Sequence, residues 1–251
     1  MRNDGRTNDQ LRPLKFEIGY LKHHPGSVMV TMGDTKVLAL ATSEARVPHH
    51  RLDVGGWLSA EYNMMPGSTA QRKARAIAKL KNDGRSVEIS RLIGRSIRQA
   101  VNLDALGQRS LLIDCDVIQA DAGTRSAAIT GAYLATCAHV ASLIKTGQLK
   151  MKTMEDIIIR PVAAVSLGII DNQVVLDLNY QEDVKADTDC NLVGSSNNQI
   201  IEFQLSAEQK PMSKAHVDAI YELGQRALSE IIALQSKELL RQCGIMFHWG
   251  M

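Results

Sequence analysis

The pattern of apolar and polar positions in the first half of the chain predicts short strands. Apolar or β-branched residues fill 27–32 and 36–42 on both sides of Gly33-Asp34-Thr35, and a Gly/Asp turn between two such runs is typical of a hairpin. A further strand is predicted over 57–62, and Pro66-Gly67 ends it. The first half therefore opens with β-structure.

Helical patterns follow these strands. A helical region is predicted from about residue 70 to 101, with a break near Asn82-Asp83-Gly84. The run 110–118 is apolar enough for an interior strand, and a long helix after it ends near Gly147. Residues 127–144 carry no charge but include Thr, Gly, Ser and His, so we expect a buried amphipathic helix and no contact with a membrane.

The second half repeats the plan of strands followed by a helix. Two hairpins are predicted over 162–178 and 191–204. Ser213 has the side chain of an N-cap for a helix that ends near Arg241. Two halves of this kind favour an α+β fold with α/β layers.

Length and composition agree with a folded chain of one to two domains. The protein has 251 residues, of which 45% are apolar and 22% charged, as in ordinary globular proteins. We expect two domains, residues 1–150 and 151–251, although no Pro/Gly/Ser-rich linker marks the boundary near Lys150. The first ten residues do not resemble a signal peptide.

The cysteines indicate the compartment. Four cysteines lie far apart and form no C-x-x-C pair, which argues against a zinc site and against a disulfide framework. Free thiols are typical of a reducing compartment, so we expect a cytoplasmic protein. The sequence also contains no G-x-x-x-x-G-K-[ST] phosphate loop, G-x-G-x-x-G run or H-E-x-x-H zinc motif.

Charge is distributed unevenly along the chain. The net charge is only +2, but residues 72–98 contain nine basic and two acidic residues, a local net of +7. The rest of the chain has 20 basic and 25 acidic residues, a net of −5. Such asymmetry is typical of a protein that binds a polyanion such as RNA or DNA.

Two parts of this basic tract have different interpretations. Glu88 and the arginines at 91, 95 and 98 share one helical face, which is typical of a solvated surface or a subunit interface, and Glu88 could pair with Arg91. Arg72, Arg75 and Lys79 have only a weak apolar stripe beside them and no acid before Asp83. Contact with nucleic-acid phosphates explains that second group better.

A loop with the features of an anion site follows the strand at 110–118. Gly123 allows a tight turn, Thr124 can cap the next helix, and free N–H groups there suit a bound anion. Arg125 would add a planar fork that matches phosphate oxygens, and Gly84-Arg85 offers a second arginine. An ordinary capped helix start is the alternative.

Acidic residues cluster in the second half. Carboxylates this dense repel one another unless a cation is present, and Mg²⁺ takes one or two carboxylates and then phosphate oxygens. A polar loop between strands is the alternative. Together with the basic tract and the loop Gly123–Arg125, which we call the phosphate loop, the cluster favours phosphoryl or nucleotidyl transfer. The cluster consists of Asp171, Asp177, Glu182, Asp183, Asp187 and Asp189.

A dozen short runs are ordered along the chain from residue 2 to about residue 235, and they include Arg2-Asn-Asp-Gly-Arg6, Leu11-Arg-Pro13, Gly33-Asp-Thr35, Glu61-Tyr62, Gly84-Arg85, Glu88-Ile89, Arg91-Leu-Ile-Gly-Arg95, Gln119-Ala-Asp-Ala-Gly-Thr-Arg125 and Ala128-Ile-Thr-Gly131. Together these runs resemble the bacterial ribonuclease PH family. The resemblance implies the ribonuclease PH fold, of the ribosomal protein S5 domain 2-like class. It implies a phosphate-dependent 3′-to-5′ exoribonuclease that trims tRNA precursors, releases nucleoside 5′-diphosphates and assembles as a hexameric ring, a trimer of dimers.

The resemblance also implies roles for individual residues. Arg85 and the loop Gly123-Thr124-Arg125 would hold the attacking phosphate. Asp183 and Asp189, with Asp177 nearby, would bind Mg²⁺ and protonate the leaving group. The arginines at 72 and 75 match positions that contact the incoming RNA strand.

The sequence departs from the family pattern at two places that bear on activity. Gly67 stands where the family usually has Arg, and Leu205 stands where Gly is usual. Two alternatives therefore stay open: a non-catalytic, RNA-binding ring subunit of an exosome-like assembly, and a basic nucleic-acid-binding module with a structural acidic loop. The first predicts loss of Arg85, Arg125 or the acidic pair, and these residues are present.

Overall fold

The strands form two sheets. The computed structural model describes residues 2–75, 83–247 and 249. A five-stranded sheet, in the order β1-β2-β3-β5-β4, comes from the first half, and a four-stranded sheet, in the order β7-β6-β8-β9, comes from the second. The strands are β1 (Leu14–Ile18), β2 (Ser27–Met32), β3 (Thr35–Glu44), β4 (Trp57–Met64), β5 (Ser110–Gln119), β6 (Ala163–Ile170), β7 (Gln173–Leu176), β8 (Thr188–Gly194) and β9 (Ile200–Ala207).

The predicted hairpins are confirmed. Antiparallel β2 and β3 meet at Gly33-Asp34, where Gly33 has a φ of +55°. In the second half, Asp171 and Asn172 both adopt positive φ between β6 and β7, as a type I′ turn requires. The pairing of β8 with β9 is antiparallel and shifts register at Gly194. Strand β5 is interior, between antiparallel β3 and parallel β4.

The helices differ from the sequence prediction at one place. Residues 70–75 are not helical, residues 76–82 lie outside the described part of the chain, and the helix starts only at Gly84. The exposed stretch 70–75 has no apolar face to bury, and most helical stability in proteins comes from packing such a face. The helices are α1 (Gly84–Arg98), α2 (Leu103–Leu106), α3 (Thr124–Lys145), α4 (Met154–Ile157), α5 (Tyr180–Asp183) and α6 (Lys214–Cys243), with a 3₁₀ turn at His49–Arg51.

Helix α3 lies between the two sheets. It packs against β2 and β3 of the first sheet and against β6 of the second. Its residues 126–138 are all buried, so the helix is enclosed on every side and not amphipathic as expected. By length and hydropathy α3 could cross a membrane, yet 78% of its most apolar window is buried inside the protein, as in the core helix of a soluble protein.

Helix α6 covers the second sheet, and its end joins the first core. Ser213 caps this helix as predicted, because its Oγ accepts a hydrogen bond from the His216 N–H at 3.2 Å. Leu239 and Phe247 pack with residues of the first sheet. The two halves therefore share packing across the predicted boundary near Lys150, and that boundary stays a prediction.

Candidate active site

A cavity of about 720 Å³ opens between the phosphate loop, Gly123–Arg125, and the acidic segment, residues 177–189. It collects side chains from both halves of the chain. Arg85 comes from the start of α1, Arg125 from the start of α3, and Asp183 from the end of α5. The cavity is lined by Met64, Thr69, Ala70, Gln71, Arg85, Ala120, Asp121, Ala122, Gly123, Thr124, Arg125, Ser166, Tyr180, Asp183, Asp189, Asn191 and Glu208.

The start of α3 lines one side of this cavity. Gly123, and not Thr124 as expected, occupies the N-cap, and no side chain among the described residues caps the helix. The φ of Gly123 is +63°, and a Cβ atom there would lie 2.8 Å from Nη2 of Arg12. Glycine therefore provides both the left-handed conformation and the space. The uncapped N–H groups leave this helix end ready to bind an anion.

The Thr124 hydroxyl is oriented by a buried tyrosine. The Tyr62 O–H donates to Oγ1 of Thr124 at 2.9 Å. Burial raises the pKa of Tyr62 while the Thr124 hydrogen bond and the charges of Arg85 and Arg125 oppose that rise, so the phenol stays protonated and can donate at neutral pH. A hydroxyl that accepts from Tyr62 keeps its own proton free to donate into the cavity.

Buried polar atoms around the loop have no protein partner. Nε of Arg125, Oγ of Ser126 and Oγ of Ser166 are shielded from solvent and make no hydrogen bond to the described residues. Leaving such groups unpaired costs roughly 1–3 kcal/mol each. Of these, Arg125 and Ser166 line the cavity beside the uncapped helix start, where their donor hydrogens suit a multi-oxygen anion such as phosphate.

The two arginines of the cavity are held differently. Nη2 of Arg125 donates to Oε2 of Glu88 at 3.0 Å, so Glu88 pairs with Arg125 and not with Arg91 as expected. Arg85 is the second residue of α1, its N–H donates to the capping Asp83, and its exposed side chain lines the cavity. Both guanidinium groups line the same space as the uncapped end of α3.

Asp183 and Asp189 line the opposite side and influence each other. Burial and then the charge of Asp189 raise the pKa of Asp183, and Arg85 and Arg125 only partly oppose the rise. Burial also raises the pKa of Asp189, against the opposing charge of Arg125 and with a further contribution from Glu208. In the described part of the chain, no group of three or more His, Cys, Asp or Glu side chains forms a ready-made metal site.

Asp177 does not line the cavity. It is buried beneath it and accepts hydrogen bonds from Arg12, with Nη2 to Oδ1 at 2.7 Å and Nε to Oδ2 at 3.1 Å. The structure therefore separates Asp177 from the pair Asp183 and Asp189, with which the sequence grouped it.

The residues predicted to contact RNA lie beside the cavity or outside the described chain. Arg72 and Arg75 are exposed and follow Gln71, which lines the cavity. Lys79 lies outside the described residues. Two other cations of the basic tract are paired with acids: Lys73 contacts Asp83 at 2.8 Å and Arg95 contacts Glu202 at 2.6 Å.

Sequence reasoning missed several residues of the cavity. Glu208 places a third carboxylate in it, and Tyr180 is an aromatic side chain that is 61% exposed. The nearest sequence signal to Glu208 was the departure from the family pattern at Leu205, three positions before it. Leu205 itself packs against the second core and does not line the cavity, and a Cβ at Gly67 would meet nothing within 4 Å.

Comparisons with known proteins agree on one family. The family model described as 3′ exoribonuclease family, domain 1, matches residues 10–139, and the model for domain 2 matches residues 160–227. The chain is 45% identical over 239 residues to ribonuclease PH of Crocosphaera subtropica, which covers 95% of this chain and 97% of the relative. It is 43% identical over 242 residues to ribonuclease PH of Bacillus subtilis, covering 96% and 97%.

Solved structures show the same fold at low identity. Rice Rrp46 superposes with a TM-score of 0.71 at 20% identity, covering 96% of this chain and 99% of that one. A chain of the Archaeoglobus fulgidus exosome with RNA bound to the active site superposes with a TM-score of 0.76 at 18% identity, covering 92% and 91%.

Proposed function

The chain belongs to the ribonuclease PH family of 3′ exoribonucleases, and we propose that it shortens RNA from the 3′ end at the cavity between its two sheets, with inorganic phosphate as the attacking group. The observation that carries this proposal is the pairing of an unsatisfied anion site with two carboxylates of raised pKa that line one cavity. Phosphorolysis needs both, because one anion must attack another and the leaving oxygen must gain a proton.

Inorganic phosphate would bind at the start of α3. The free N–H groups after Gly123, the Thr124 hydroxyl and the guanidinium groups of Arg85 and Arg125 supply the hydrogen bonds and positive charge. A phosphate oxygen then attacks the terminal phosphodiester phosphorus. The bond from that phosphorus to the 3′ oxygen of the preceding nucleotide breaks, and the product is a nucleoside 5′-diphosphate.

The leaving 3′ oxygen needs a proton, and the carboxylate pair is suited to supply it. Burial and the charge of Glu208 raise the pKa of both Asp183 and Asp189, and the charge of Asp189 raises that of Asp183 further, so one of them holds a proton at a higher pH than an ordinary aspartate does. The pair titrates as a unit, so the proton belongs to the pair and not to one named residue.

The same pair fits Mg²⁺. This ion is usually held by one or two carboxylates and completes its shell with water and phosphate oxygens, so two carboxylates that face the same cavity suit it. Asp183 and Asp189 would hold the ion. When bound, Mg²⁺ neutralises charge on the substrate phosphate oxygens.

We propose RNA with a 3′ extension, such as a tRNA precursor, as the substrate. Exposed Arg72 and Arg75 beside the cavity support a path for the strand, and we place Lys79 on the same path from the sequence. The likeness to an archaeal exosome core, with a TM-score of 0.71, supports assembly of several copies, and we propose a hexameric ring, a trimer of dimers. Three of the four free cysteines are buried thiols, and we propose a cytoplasmic location.

A 3′-labelled tRNA precursor tests this function. With Mg²⁺ and phosphate we expect release of nucleoside diphosphate, and without phosphate no release. Release of nucleoside monophosphate in the absence of phosphate would exclude phosphorolysis, and RNA binding without any release would favour a non-catalytic ring subunit.

The phosphate site has its own test. Arg125→Ala should raise the KM for phosphate at least about 10-fold, because a charge-assisted hydrogen bond contributes roughly 1.5–3 kcal/mol. Arg46→Ala is the matched control, since Arg46 is an exposed arginine that also pairs with a glutamate, Glu44. Full phosphate-dependent activity in Arg125→Ala would contradict the site assignment.

A further inference from the structure

The N-terminal arm, residues 2–12, carries three arginines that the phosphate site does not use. The side chain of Arg2 is only 4% exposed and that of Arg12 only 3%. Burial of arginines is unusual unless they have partners. The carboxylates that each of them binds through two nitrogens, Glu182 for Arg2 and Asp177 for Arg12, lie more than 160 positions away, in the segment that leads to Asp183.

Arg2 binds this segment through several nitrogens of its planar guanidinium group. Nε donates to Oε1 of Glu182 at 2.8 Å, and Nη2 donates to Oε2 of Glu182 at 2.6 Å. The same guanidinium donates to the main-chain carbonyls of Leu176 at 2.9 Å and Asp177 at 3.0 Å. A lysine would keep the charge but has no fork with which to make these bonds together.

Glu182 connects Arg2 to helix α5. Its carboxylate accepts from the Asn179 N–H at 3.0 Å, and the Asn179 side chain accepts from the Glu182 N–H at 3.1 Å. This reciprocal capping box fixes the single turn Tyr180–Asp183. Asp183 is the last residue of that turn, so holding Glu182 also holds Asp183.

Arg12 connects the acidic segment to the phosphate loop. It binds both carboxylate oxygens of Asp177, and Nη1 donates to the carbonyl of Asp121 at 2.5 Å. Asp121 in turn accepts from the Tyr180 N–H at 3.0 Å. Arg12 thereby contacts both segments from which the two sides of the cavity are built.

Arg6 completes the set around a strained residue. Its Nη2 donates to the carbonyl of Asp177 at 3.0 Å. Asp177 has a φ of +51°, a left-handed conformation that a non-glycine residue keeps only when its surroundings hold it. Arg2, Arg6 and Arg12 all contact this residue, so the arm supplies that hold.

We propose that Arg2, Arg6 and Arg12 are positioning residues that fix Asp183 relative to the phosphate loop, and that Asp177 is their buried anchor and not a reacting acid. This inference rests on the proposed function, because it assigns the arm to the geometry of that reaction. A displacement of about 1 Å between reacting groups can lower a rate about 100-fold.

Arg2→Lys and Arg12→Lys test the proposal, with Arg46→Lys as the matched control at an exposed Arg–Glu pair. For Arg12→Lys we expect kcat to fall about 10- to 100-fold while the KM for phosphate stays within about twofold, because Arg85 and Arg125 are untouched. Amide hydrogen exchange should accelerate over 177–183 in both arm variants. Arg46→Lys should change neither quantity.

Thermal melts run beside the kinetics separate positioning from mere stability. A kcat within twofold of the parent in both arm variants, or a loss carried only by the KM for phosphate, would overturn the proposal. If Arg12→Lys does not fold, Arg2→Lys decides. If the parent releases no nucleoside diphosphate, the proposed function fails, and the hydrogen-exchange difference over 177–183 alone decides whether the arm positions this segment.

Discussion

Glu182 and Asp183 are neighbours in one helical turn, yet their carboxylates have opposite surroundings. Burial opposes ionisation of Glu182, but hydrogen bonds from Arg2 and from the Asn179 amide, with the charges of Arg2 and Arg6, hold its pKa below the usual value. Burial and the charge of Asp189 raise the pKa of Asp183, and Arg85 and Arg125 offset only part of that rise. The negative charge of Glu182 is therefore compensated by cations and hydrogen bonds of the protein, whereas that of Asp183 is compensated only in part, and we call it uncompensated.

This difference divides the acids of one short segment into two groups. The compensated acids face the N-terminal arm, where arginines supply fixed hydrogen bonds. The uncompensated acids, Asp183 and Asp189, face the cavity, where a cation or a proton from outside the protein can neutralise them. A site that binds metal or transfers a proton must leave its carboxylates in this state, and that lowers the stability of the protein.

Removing an uncompensated carboxylate should have the largest effect. We expect Asp183→Asn to lower phosphorolysis about 100- to 10,000-fold, as for loss of an acid–base group. The raised pKa means that ionisation of Asp183 destabilises the folded protein as the pH rises through that pKa, so the asparagine variant should melt at a higher temperature at pH 7. Nucleoside diphosphate release and a thermal melt measure both. A lower melting temperature would contradict the comparison.

Removing the compensated carboxylate should act on stability first. Glu182→Gln leaves Arg2 buried without a counter-charge and should lower the free energy of unfolding by about 3 kcal/mol. Because the pKa of Glu182 is lowered on folding, its contribution is present above the ordinary value and is lost as the pH falls through the lowered pKa. Urea unfolding at neutral and acidic pH tests this, and the difference should shrink in acid.

The matched control for that experiment is Glu44→Gln. Glu44 pairs with Arg46 at the exposed surface, where an ion pair contributes less than about 1 kcal/mol. Equal losses in the two variants would show that the arm is no more important than a surface pair.

The smallest effect is expected from the third carboxylate of the cavity. The charge of Glu208 helps to raise the pKa of both Asp183 and Asp189. Because the pair is proposed to supply the proton that the leaving oxygen gains, the rate should fall as the pH rises and the pair ionises, and Glu208→Gln should shift the half-point of that fall to lower pH. A pH–rate profile measures the shift, with Glu222→Gln at an exposed site on α6 as control. A shift to higher pH would contradict the assignment.

Local sequence patterns predicted much of the fold because their causes are local. Turn residues at Gly33-Asp34 and Asp171-Asn172 fix hairpins wherever they stand between apolar strands. Glycine before a helix, as at Gly123, marks a possible anion site through its own φ and the free N–H groups that follow. The phosphate loop and the acidic segment could both be found in this way.

Predictions that depended on neighbours distant in sequence were less successful. Glu88 and Arg91 have helical spacing, but Glu88 turns to Arg125 of another helix. A helix over 70–75 does not form, because no surface receives it. Glu208 carried no motif of its own, since it matters through its charge, which acts on two aspartates of other elements in the same cavity.

The sequence by itself determined the family, the strand and helix pattern and the position of the basic and acidic segments, because these depend on residue types and short spacings. Only the tertiary structure decided which acids face the cavity and which are paired with the N-terminal arginines. It brings Arg2 and Arg12 to Glu182 and Asp177 and leaves Asp183 and Asp189 facing the cavity. The pKa of a carboxylate is set by its burial and by the charges around it, and both of these exist only in the folded chain.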